Sequence, residues 1–538
     1  MGNQLKRGMA APKRTRSRNK PARLSSRLKN LLWVLLVLSL VPFACNFPGG
    51  SLLAEPTPYP TDPEPEFIFT RPPRQPTPTL NPEEPTETPE FVTPPPFAND
   101  APPILYYTQA GDTLPVVAVR YGVLPQEITS PDDIPAEALL NPGQLLVIPN
   151  RLGQTTPNVH LLPDSEVVYS PSAIDFDVQG YVEQAGGYLS QYTEFLGSSG
   201  TLGGAEIIRR VALDNSINPM LLLALIEQQS GWVQGKPGNV TQEQYPLGLI
   251  DRNRQGLYKQ LIWAVNQLSI GYYGWREGRL TELTFPDGSS ARLAPDLNAG
   301  TAALQYMFAQ KDNQESWIGA LDLNQGLPAI YTDMFGSPWL RAQMVEPLYP
   351  PDLAQPDLIL PFWRNQLWAF SGGPHGAWEH DGAWAALDFA PGSSEPGCSV
   401  SYSWVTAAGS GLVVRDGHGF LVIDMDGDGY EQTGWSMLYL HIADEGRVPV
   451  GTLVEQGDKL GFPSCEGGTA TGTHVHIARK FNGEWIPADG PLPFNLDGWR
   501  AHAGSAAYLG SLTRGDQTVI ASVLGTASST LMRTDQDP

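Results

Sequence analysis

The chain has 538 residues, which is more than one hydrophobic core usually organises, so several domains are expected. Ten of its 34 basic residues lie between Lys6 and Lys29. The rest of the chain has 24 basic and 56 acidic residues, a net charge of −32. Such an acidic body excludes a nucleic-acid-binding surface, and we expect no nucleic-acid partner.

Residues 1–45 have the pattern of an export segment. A long basic stretch precedes the apolar run Leu31–Phe43, which is too short to span a bilayer comfortably. Ala44 and Cys45 follow, and a small residue before Cys resembles a bacterial lipoprotein processing site, where Cys45 would be lipidated. An uncleaved anchor or ordinary secretion are the alternatives. We therefore expect an exported protein, tethered to the membrane at the cell envelope through an N-terminal lipid or anchor.

Residues 46–103 are predicted to form a disordered stalk. The segment from Glu55 to Pro96 contains 15 prolines in 42 residues, mixed with Thr and Glu. This composition cannot form a core and favours extended polyproline II structure. The stalk would hold the following domains away from a membrane surface.

Residues 104–150 predict a small module with strands at its two ends. Residues 107–114 are typical of a strand, a turn and a helix start, Gly122 is a helix stop, and residues 141–149 close with a strand. This pattern resembles a LysM domain, a βααβ fold that binds N-acetylglucosamine in glycan chains. The resemblance implies peptidoglycan as a partner.

Residues 165–355 are predicted to be all-α. Asn218 and Pro219 begin one helix as its cap and first residue. Residues 224–232 resemble the catalytic motif of lysozyme-like lytic transglycosylases, but Gln229 stands where the family has its acid. Glu227 lies about 200° around the helix from that position. A lysozyme-like domain that binds glycan or acts as a spacer, without cleaving glycan, is therefore expected.

Residues 360–505 contain most of the histidines, of which the chain has eight. His474 and His476 are two apart, so in a strand they lie on one face. Upstream, the apolar run 384–390 carries one acid, Asp388. Two imidazoles and one carboxylate leave a fourth tetrahedral position open, which is the ligand pattern of a catalytic zinc site.

The motifs of this region resemble the lysostaphin/LytM-type zinc metallopeptidases, which cut peptide bonds in peptidoglycan cross-links. They are Tyr439-Leu-His441 and Thr473-His-Val-His476. The usual His-x-x-x-Asp is absent, because Trp384 stands four residues before Asp388, but Gly372-Gly-Pro-His375 followed by Leu-Asp-Phe resembles the β-lytic branch. The resemblance implies a mainly antiparallel β fold and one zinc ion per chain, held by His375, Asp388 and His476. His441 and His474 would be the catalytic pair, and substrate-binding residues are not indicated.

Some histidines have other interpretations. His380 also precedes Asp388 and is the alternative to His375, which the tight Gly-Gly-Pro approach favours. A degenerate, metal-free copy of the domain is a further alternative. His160, His418 and His502 are interpreted as packed or solvated side chains.

Residues 424–429, Asp-Met-Asp-Gly-Asp-Gly, allow two interpretations. They resemble the start of an EF-hand calcium loop, but Trp435 stands where that loop has its twelfth-position Glu. An acidic hairpin turn between two strands is therefore favoured over a calcium site.

Cys398 and Cys465 are predicted to form a disulfide. An exported protein meets an oxidising environment, where a remaining cysteine pair normally bonds. Two buried thiols, or a thiol that ligates zinc, are the alternatives. Residues 506–538 are predicted to be a short strand-like extension and a disordered tail.

Taken together, the sequence predicts a multidomain α and β protein with a LysM module, an all-α lysozyme-like domain and a mainly antiparallel β metallopeptidase domain. The predicted function is a monomeric zinc metalloendopeptidase that hydrolyses peptide cross-links of bacterial peptidoglycan and is directed to the wall by the LysM module. The alternative is a non-enzymatic envelope protein that binds wall glycan or activates another wall hydrolase. Metal content would separate the two.

Overall fold

The computed structural model describes residues 101–350, 352–378, 381–393, 397–535 and 537. The predicted export segment, the lipidation site Cys45, nearly all of the proline-rich stalk and His380 lie outside the described residues. Within the described ranges, no helix has the length and apolar character needed to cross a membrane.

The N-terminal module is a two-stranded antiparallel sheet with one helix packed on it. Strand β1 (Ile104–Tyr107) pairs with β2 (Leu145–Ile148), and helix α1 (Leu114–Tyr121) lies between them in sequence. Gly122 ends α1 in the left-handed conformation, with φ of +65°. The second helix of the predicted βααβ order is replaced by a single 3₁₀ turn at Pro125–Glu127. The LysM assignment itself stays a prediction.

This module packs against the helical region through its buried arginine. Arg120 forms an ion pair with Asp112 at 2.7 Å and donates a hydrogen bond to the Trp275 carbonyl at 3.0 Å. Its guanidinium lies 4.5 Å from the Trp275 ring centroid. The Gln109 side chain donates to the Asp296 carbonyl at 2.8 Å. The loop between β1 and α1 is therefore part of an internal interface.

The middle of the chain is mainly helical, but the prediction that it is all-α is wrong, because it also contains four short strands. The Asn218 side chain accepts a hydrogen bond from the Met220 amide at 2.9 Å, which confirms the predicted cap. Two short hairpins interrupt the helices, β3–β4 (Thr193–Phe195 with Thr201–Gly203) and β5–β6 (Glu282–Thr284 with Ser290–Arg292). The helices are α2 (Val178–Ala185), α3 (Gly204–Asn215), α4 (Pro219–Ser230), α5 (Val240–Gln244), α6 (Leu257–Arg276), α7 (Ala299–Ala309), α8 (Gln314–Ala320), α9 (Leu327–Phe335) and α10 (Pro338–Ala342).

The C-terminal region is built on antiparallel β-sheet. In the main sheet the described strands follow the order β13-β10-β11-β12-β15-β8-β7-β21, and β16 pairs with β15 outside this path. A smaller sheet has the order β17-β18-β19-β20, and β9 pairs with β14. The strands are β7 (Leu367–His375), β8 (Ala386–Pro391), β9 (Val405–Thr406), β10 (Gly411–Gly417), β11 (Phe420–Asp424), β12 (Trp435–Leu440), β13 (Leu453–Val454), β14 (Lys459–Gly461), β15 (Val475–Phe481), β16 (Glu484–Trp485), β17 (Asn495–Leu496), β18 (Trp499–Ala503), β19 (Gly510–Arg514), β20 (Gln517–Ile520) and β21 (Thr530–Met532).

The two faces of the main sheet belong to different cores. On one face the alternating residues Leu387, Phe389, Val475 and Ile477 are buried in a core made by the β region alone. The opposite face carries Ala386, Val422, Leu438 and Ala478, which share a core with the helices. The helical region is therefore packed directly on the main sheet.

The C-terminal segment differs from its prediction. Residues 506–538 were expected to be a short extension and a disordered tail, but they contain β19, β20 and β21. Strand β21 pairs with β7, with Thr530 opposite Ala369. Leu531 is buried in the β-region core. The strand adds a row of backbone hydrogen bonds at the sheet edge, and the β region therefore extends to Met532.

A buried ion network links the sheet to the helices. The Glu431 carboxylate pairs with Lys480 at 2.6 Å and with Arg415 at 2.5 Å. Arg415 also pairs with Asp214 of α3 at 2.8 Å. Burial alone would raise the pKa of Glu431, but the charges of Arg415 and Lys480 lower it to about 2. Glu431 is therefore charged in the folded protein over the physiological pH range.

We expect Glu431→Gln to lower the free energy of unfolding by about 3 kcal/mol near pH 7, because the substitution leaves the buried Lys480 and the half-buried Arg415 with one partner fewer. The folded pKa lies below the ordinary value, so this stabilisation is present above about pH 4.3 and is lost as the pH falls towards 2. Urea denaturation of both full-length chains at several pH values measures the difference.

Glu445→Gln is the matched control, because Glu445 is exposed and its loss should change stability by less than about 0.5 kcal/mol. Equal stabilities of the Glu431→Gln variant and the wild type at pH 7 would contradict the role assigned to the network.

Candidate metal centre and active site

Three adjacent strands bring His375, Asp388 and His476 together. In the antiparallel register of β8 and β15, Asp388 lies directly opposite His476, and both side chains leave the same face of the sheet. His375 is the last residue of β7, which pairs with β8 on its other side. The three side chains are 2%, 6% and 5% exposed, respectively, so they form a buried cluster.

The ligand atoms of this cluster lie within hydrogen-bonding distance of one another. His375 Nε2 lies 3.0 Å from His476 Nδ1, and Asp388 Oδ1 lies 3.2 Å from each of these nitrogens. Gly372 makes room for the carboxylate, since a Cβ at that position would lie 2.5 Å from Asp388 Oδ2. The distances are short enough for one small cation to contact all three groups.

Backbone carbonyls fix the protonation of the two imidazoles. His375 Nδ1 lies 2.8 Å from the Gly373 carbonyl, and His476 Nε2 lies 2.9 Å from the Ala377 carbonyl. A carbonyl only accepts, so each of these nitrogens donates its hydrogen outward. The other nitrogen of each neutral ring then carries a lone pair directed into the cluster.

The cluster therefore presents acceptors and lacks a donor. Asp388 Oδ1 is buried without a hydrogen-bond partner, and it faces two imidazole lone pairs. A buried carboxylate facing two lone pairs needs a positive charge between them. The donor set of two imidazoles and one carboxylate fits a divalent transition-metal ion.

His441 and His474 form a second imidazole pair beside this cluster. Their ring centroids are 4.5 Å apart, and His474 Nε2 lies 3.8 Å from Asp388 Oδ2. His441 Nδ1 donates to the Glu466 carbonyl at 2.8 Å, and His474 Nδ1 donates to the Gly472 carbonyl at 2.7 Å. In each neutral ring Nε2 is therefore free to accept a proton.

Burial and the neighbouring rings keep His441 neutral. Burial, followed by His474 and His476, lowers the pKa of His441 to about 4. The residue comes directly after β12 and adopts a left-handed backbone with φ of +62°, which is uncommon for a side chain other than glycine. This conformation lets the chain turn out of the sheet while the ring stays next to the cluster. A neutral imidazole in this position suits general base chemistry.

The predicted disulfide is confirmed and lies next to this pair. Cys398 and Cys465 are bonded, with Cα atoms 5.7 Å apart. The Gly397 carbonyl accepts from the Thr473 amide, next to His474, and Glu466 supplies the acceptor for His441. The bridge therefore connects the two segments whose backbones orient the imidazole pair.

Tyr508 also belongs to the site and was not found from the sequence. Its ring is stacked on His375, with centroids 4.1 Å apart and planes at 23°. Two backbone hydrogen bonds hold it there, from the Tyr508 amide to the Pro374 carbonyl and from the Gly373 amide to the Tyr508 carbonyl. The residue lies in the loop between β18 and β19, and no local pattern distinguishes it from other surface tyrosines.

The remaining histidines of the described residues lie elsewhere. His160 contacts the Asp296 carbonyl, His418 pairs with Asp444 at 2.7 Å, and His502 contacts the Thr513 hydroxyl. Each of the three rings has a polar partner outside the cluster, and their assignment as packed or solvated side chains stays a prediction. The structure places His375 in the cluster, and His380 lies outside the described residues.

Side chains of two further motifs, residues 224–232 and 424–429, form hydrogen bonds with neighbouring residues. The Glu227 carboxylate accepts from the Val233 and Gln234 amides at 2.9 and 3.0 Å, so it stabilises the turn after α4. Gln229 accepts from Lys311 at 3.2 Å. Asp424 accepts from the Gly429 amide at 2.8 Å and closes the turn between β11 and β12, as the acidic hairpin interpretation predicts.

Comparisons with known proteins relate this chain to LasA and to a second metallopeptidase. Residues 160–349 match the family model described as the N-terminal domain of LasA. A 382-residue stretch is 27% identical to Protease LasA of Pseudomonas aeruginosa, covering 66% of this chain and 82% of that protein. The Beta-lytic metalloendopeptidase of Achromobacter lyticus is 27% identical over 158 residues, 28% of this chain and 39% of that protein.

Among solved structures, the deep-sea metalloprotease pseudoalterin is 24% identical, with a TM-score of 0.27. The likeness covers 31% of this chain and 96% of pseudoalterin. The sequence matches support a LasA-like metallopeptidase. The helical region matches a LasA domain, and its lysozyme-like assignment remains a prediction.

We expect His476→Ala to lower the affinity of the full-length chain for Zn²⁺ by at least about a hundredfold, because it removes one of three ligands that converge on the cluster. His375→Ala should have a similar effect. Competition titration with a chromophoric chelator measures both. His502→Ala is the matched control, since His502 lies outside the cluster. If His380→Ala rather than His375→Ala abolished binding, the ligand assignment would be wrong.

Proposed function

We propose that the chain is an exported zinc metalloendopeptidase that hydrolyses peptide cross-links of bacterial peptidoglycan. The observation that carries the proposal is the buried set His375, Asp388 and His476, whose acceptor atoms converge on one point, beside the imidazole pair His441 and His474. The similarity to a protease and to a metalloendopeptidase supports peptide-bond hydrolysis. Peptidoglycan as the substrate follows from the resemblance of the histidine motifs to the lysostaphin/LytM type.

The ligand residues define where the chemistry would occur. His375, Asp388 and His476 would hold one zinc ion per chain. When bound there, zinc supplies Lewis-acid polarisation of a carbonyl and lowers the pKa of water. The carbonyls of Gly373 and Ala377 keep the two ligand imidazoles in the tautomers that binding requires. Tyr508 covers one face of His375 and shields that ring from water.

His441 would transfer protons, and His474 would stabilise the oxyanion. His441, whose pKa is lowered to about 4, is neutral near pH 7 and can take a proton from the attacking water through Nε2. The ring would then return this proton to the leaving amine. His474, whose ring centroid lies 4.5 Å from that of His441, would stabilise the negative oxygen that develops at the attacked carbonyl by donating a hydrogen bond from Nε2, with a proton supplied by solvent and not the one that His441 carries.

The other regions would deliver this site to its substrate. We infer that Cys45 carries a lipid, that the proline-rich segment is a stalk, and that residues 104–150 bind wall glycan as a LysM module. The protein would then act as a monomer at the cell envelope. The internal packing of the loop between β1 and α1 leaves other surfaces of the module to contact glycan.

We expect His441→Ala to reduce peptidoglycan hydrolysis by about a hundredfold or more, because it removes the general base. Its Zn²⁺ affinity should stay within about threefold of the wild type, since His441 is not a ligand. Release of free amino groups from purified peptidoglycan measures the activity, and competition titration measures the affinity.

His418→Ala is the matched control, because its ring lies at the surface on the tip of the β10–β11 hairpin. Full activity of His441→Ala would refute its role. A wild-type chain that binds peptidoglycan without releasing amino groups would favour the non-enzymatic alternative.

We expect the full-length chain to release no new reducing ends or anhydro-sugars from peptidoglycan. Gln229 cannot act as an acid, and Glu227 is held by two backbone amides. Reducing-end assays and mass spectrometry of the soluble products check this. Glycan cleavage that Glu227→Gln abolishes would show instead that the helical region is a glycosidase.

A further inference from the structure

The metal cluster and the helical region share one face of the main sheet. Side chains alternate along a strand, so Asp388 leaves β8 on the same side as Ala386, and His476 leaves β15 on the same side as Ala478. Both alanines are fully buried in the core that the sheet shares with the helices. The ligands therefore lie at the edge of the surface on which the helices pack.

The loop between His375 and Asp388 belongs to that shared core. Ala377, Ala383 and Ala385 are at most 2% exposed and are part of the same apolar cluster as the helices. The Ala377 amide donates to the Ala383 carbonyl at 3.1 Å, which ties the described ends of the loop together. A displacement of Ala383 would therefore move Ala377 as well.

Helix α6 contacts this loop at a position without a side chain. Gly382 is buried, and a Cβ placed on it would lie 3.0 Å from Ser269 Cβ and 3.5 Å from Ser269 Oγ. Ser269 is 6% exposed and lies in the middle of α6. Arg279, just beyond α6, stacks its guanidinium 5.8 Å from the Trp384 ring. The loop therefore fits closely against α6.

The loop in turn orients a metal ligand. The Ala377 carbonyl accepts the hydrogen bond from His476 Nε2 at 2.9 Å, and this bond directs Nδ1 into the cluster. Hydrogen-bond partners of ligating imidazoles commonly change metal affinity by about 10- to 100-fold when they are lost. A shift of the loop would weaken this bond without changing a ligand.

We propose that the helical region positions His476 for metal binding. Ser269 of α6 sets the position of Gly382, and the loop transmits that position to the Ala377 carbonyl. Ser269 is thus a positioning residue that acts through the loop and does not contact the metal. This inference rests on the proposed function for the identity of the metal ion.

The test is a double-mutant cycle in the full-length chain, with Zn²⁺ affinity measured by competition titration and Co²⁺ absorption recorded as a signature of ligand geometry. We expect Gly382→Ala to weaken Zn²⁺ binding about tenfold and to change the Co²⁺ spectrum, because the new methyl group meets Ser269. Ser269→Gly alone should stay within about twofold of the wild type. The double variant should recover affinity and spectrum, since the glycine makes room for the methyl group.

Two variants on the helix side guard against a folding defect in Gly382→Ala. Ser269→Ala keeps the contacting Cβ and should leave affinity and spectrum unchanged. Ser269→Thr adds a methyl group and should weaken binding in the same direction as Gly382→Ala. Wild-type affinity in both Gly382→Ala and Ser269→Thr, or a double variant as weak as Gly382→Ala, would overturn the inference.

These measurements use no substrate, so the two proposals fail separately. A chain that shows the expected cycle but does not cut peptidoglycan contradicts the proposed function and leaves the positioning role supported. A chain that cuts peptidoglycan with metal affinities insensitive to Gly382 and Ser269 contradicts only the positioning role. A wild-type chain that binds no zinc overturns both.

Discussion

The pairing of β8 with β15 is the constraint on which the site depends. This register places Asp388 opposite His476, and a slip of one residue would turn one of them into the opposite core. Leu387 and Ile477, directly paired on the other face and fully buried, oppose such a slip. Packing in the β-region core therefore fixes the positions of Asp388 and His476, although their side chains leave the opposite face of the sheet.

Electrostatic interactions favour cation binding at this cluster, and they make the buried carboxylate of Asp388 unfavourable without a cation. Asp388 is buried beside two imidazole lone pairs, with one oxygen unpartnered, so the cluster is satisfied only when a positive charge joins it. The His441 ring nearby, in contrast, is kept neutral by burial and by its neighbours. The same surroundings thus separate a cation-binding set from a proton-accepting pair, as a hydrolytic metal site requires.

Local sequence patterns predicted those functional residues that lie at a short, fixed spacing in the chain. Alternation placed His474 and His476 on one face, and the oxidising environment of an exported chain predicted the Cys398–Cys465 bridge. What the sequence could not supply comes from segments far apart in the chain. Tyr508 reaches His375 across more than a hundred residues, β21 closes the sheet edge, and α6 supports the Ala377 loop. The single 3₁₀ turn after α1 replaced a predicted helix, in a segment where Pro125 and several later prolines disfavour a continuous helix.

We infer that one metal ion held in this cluster drives peptide-bond hydrolysis. A zinc titration of the metal-free full-length chain, in which products of defined cross-linked muropeptides are followed by mass spectrometry, tests this inference. We expect activity to return in proportion to added zinc, to saturate at one ion per chain and to produce new amino termini. Full activity in the metal-free chain, or products cut only within the glycan, would contradict it.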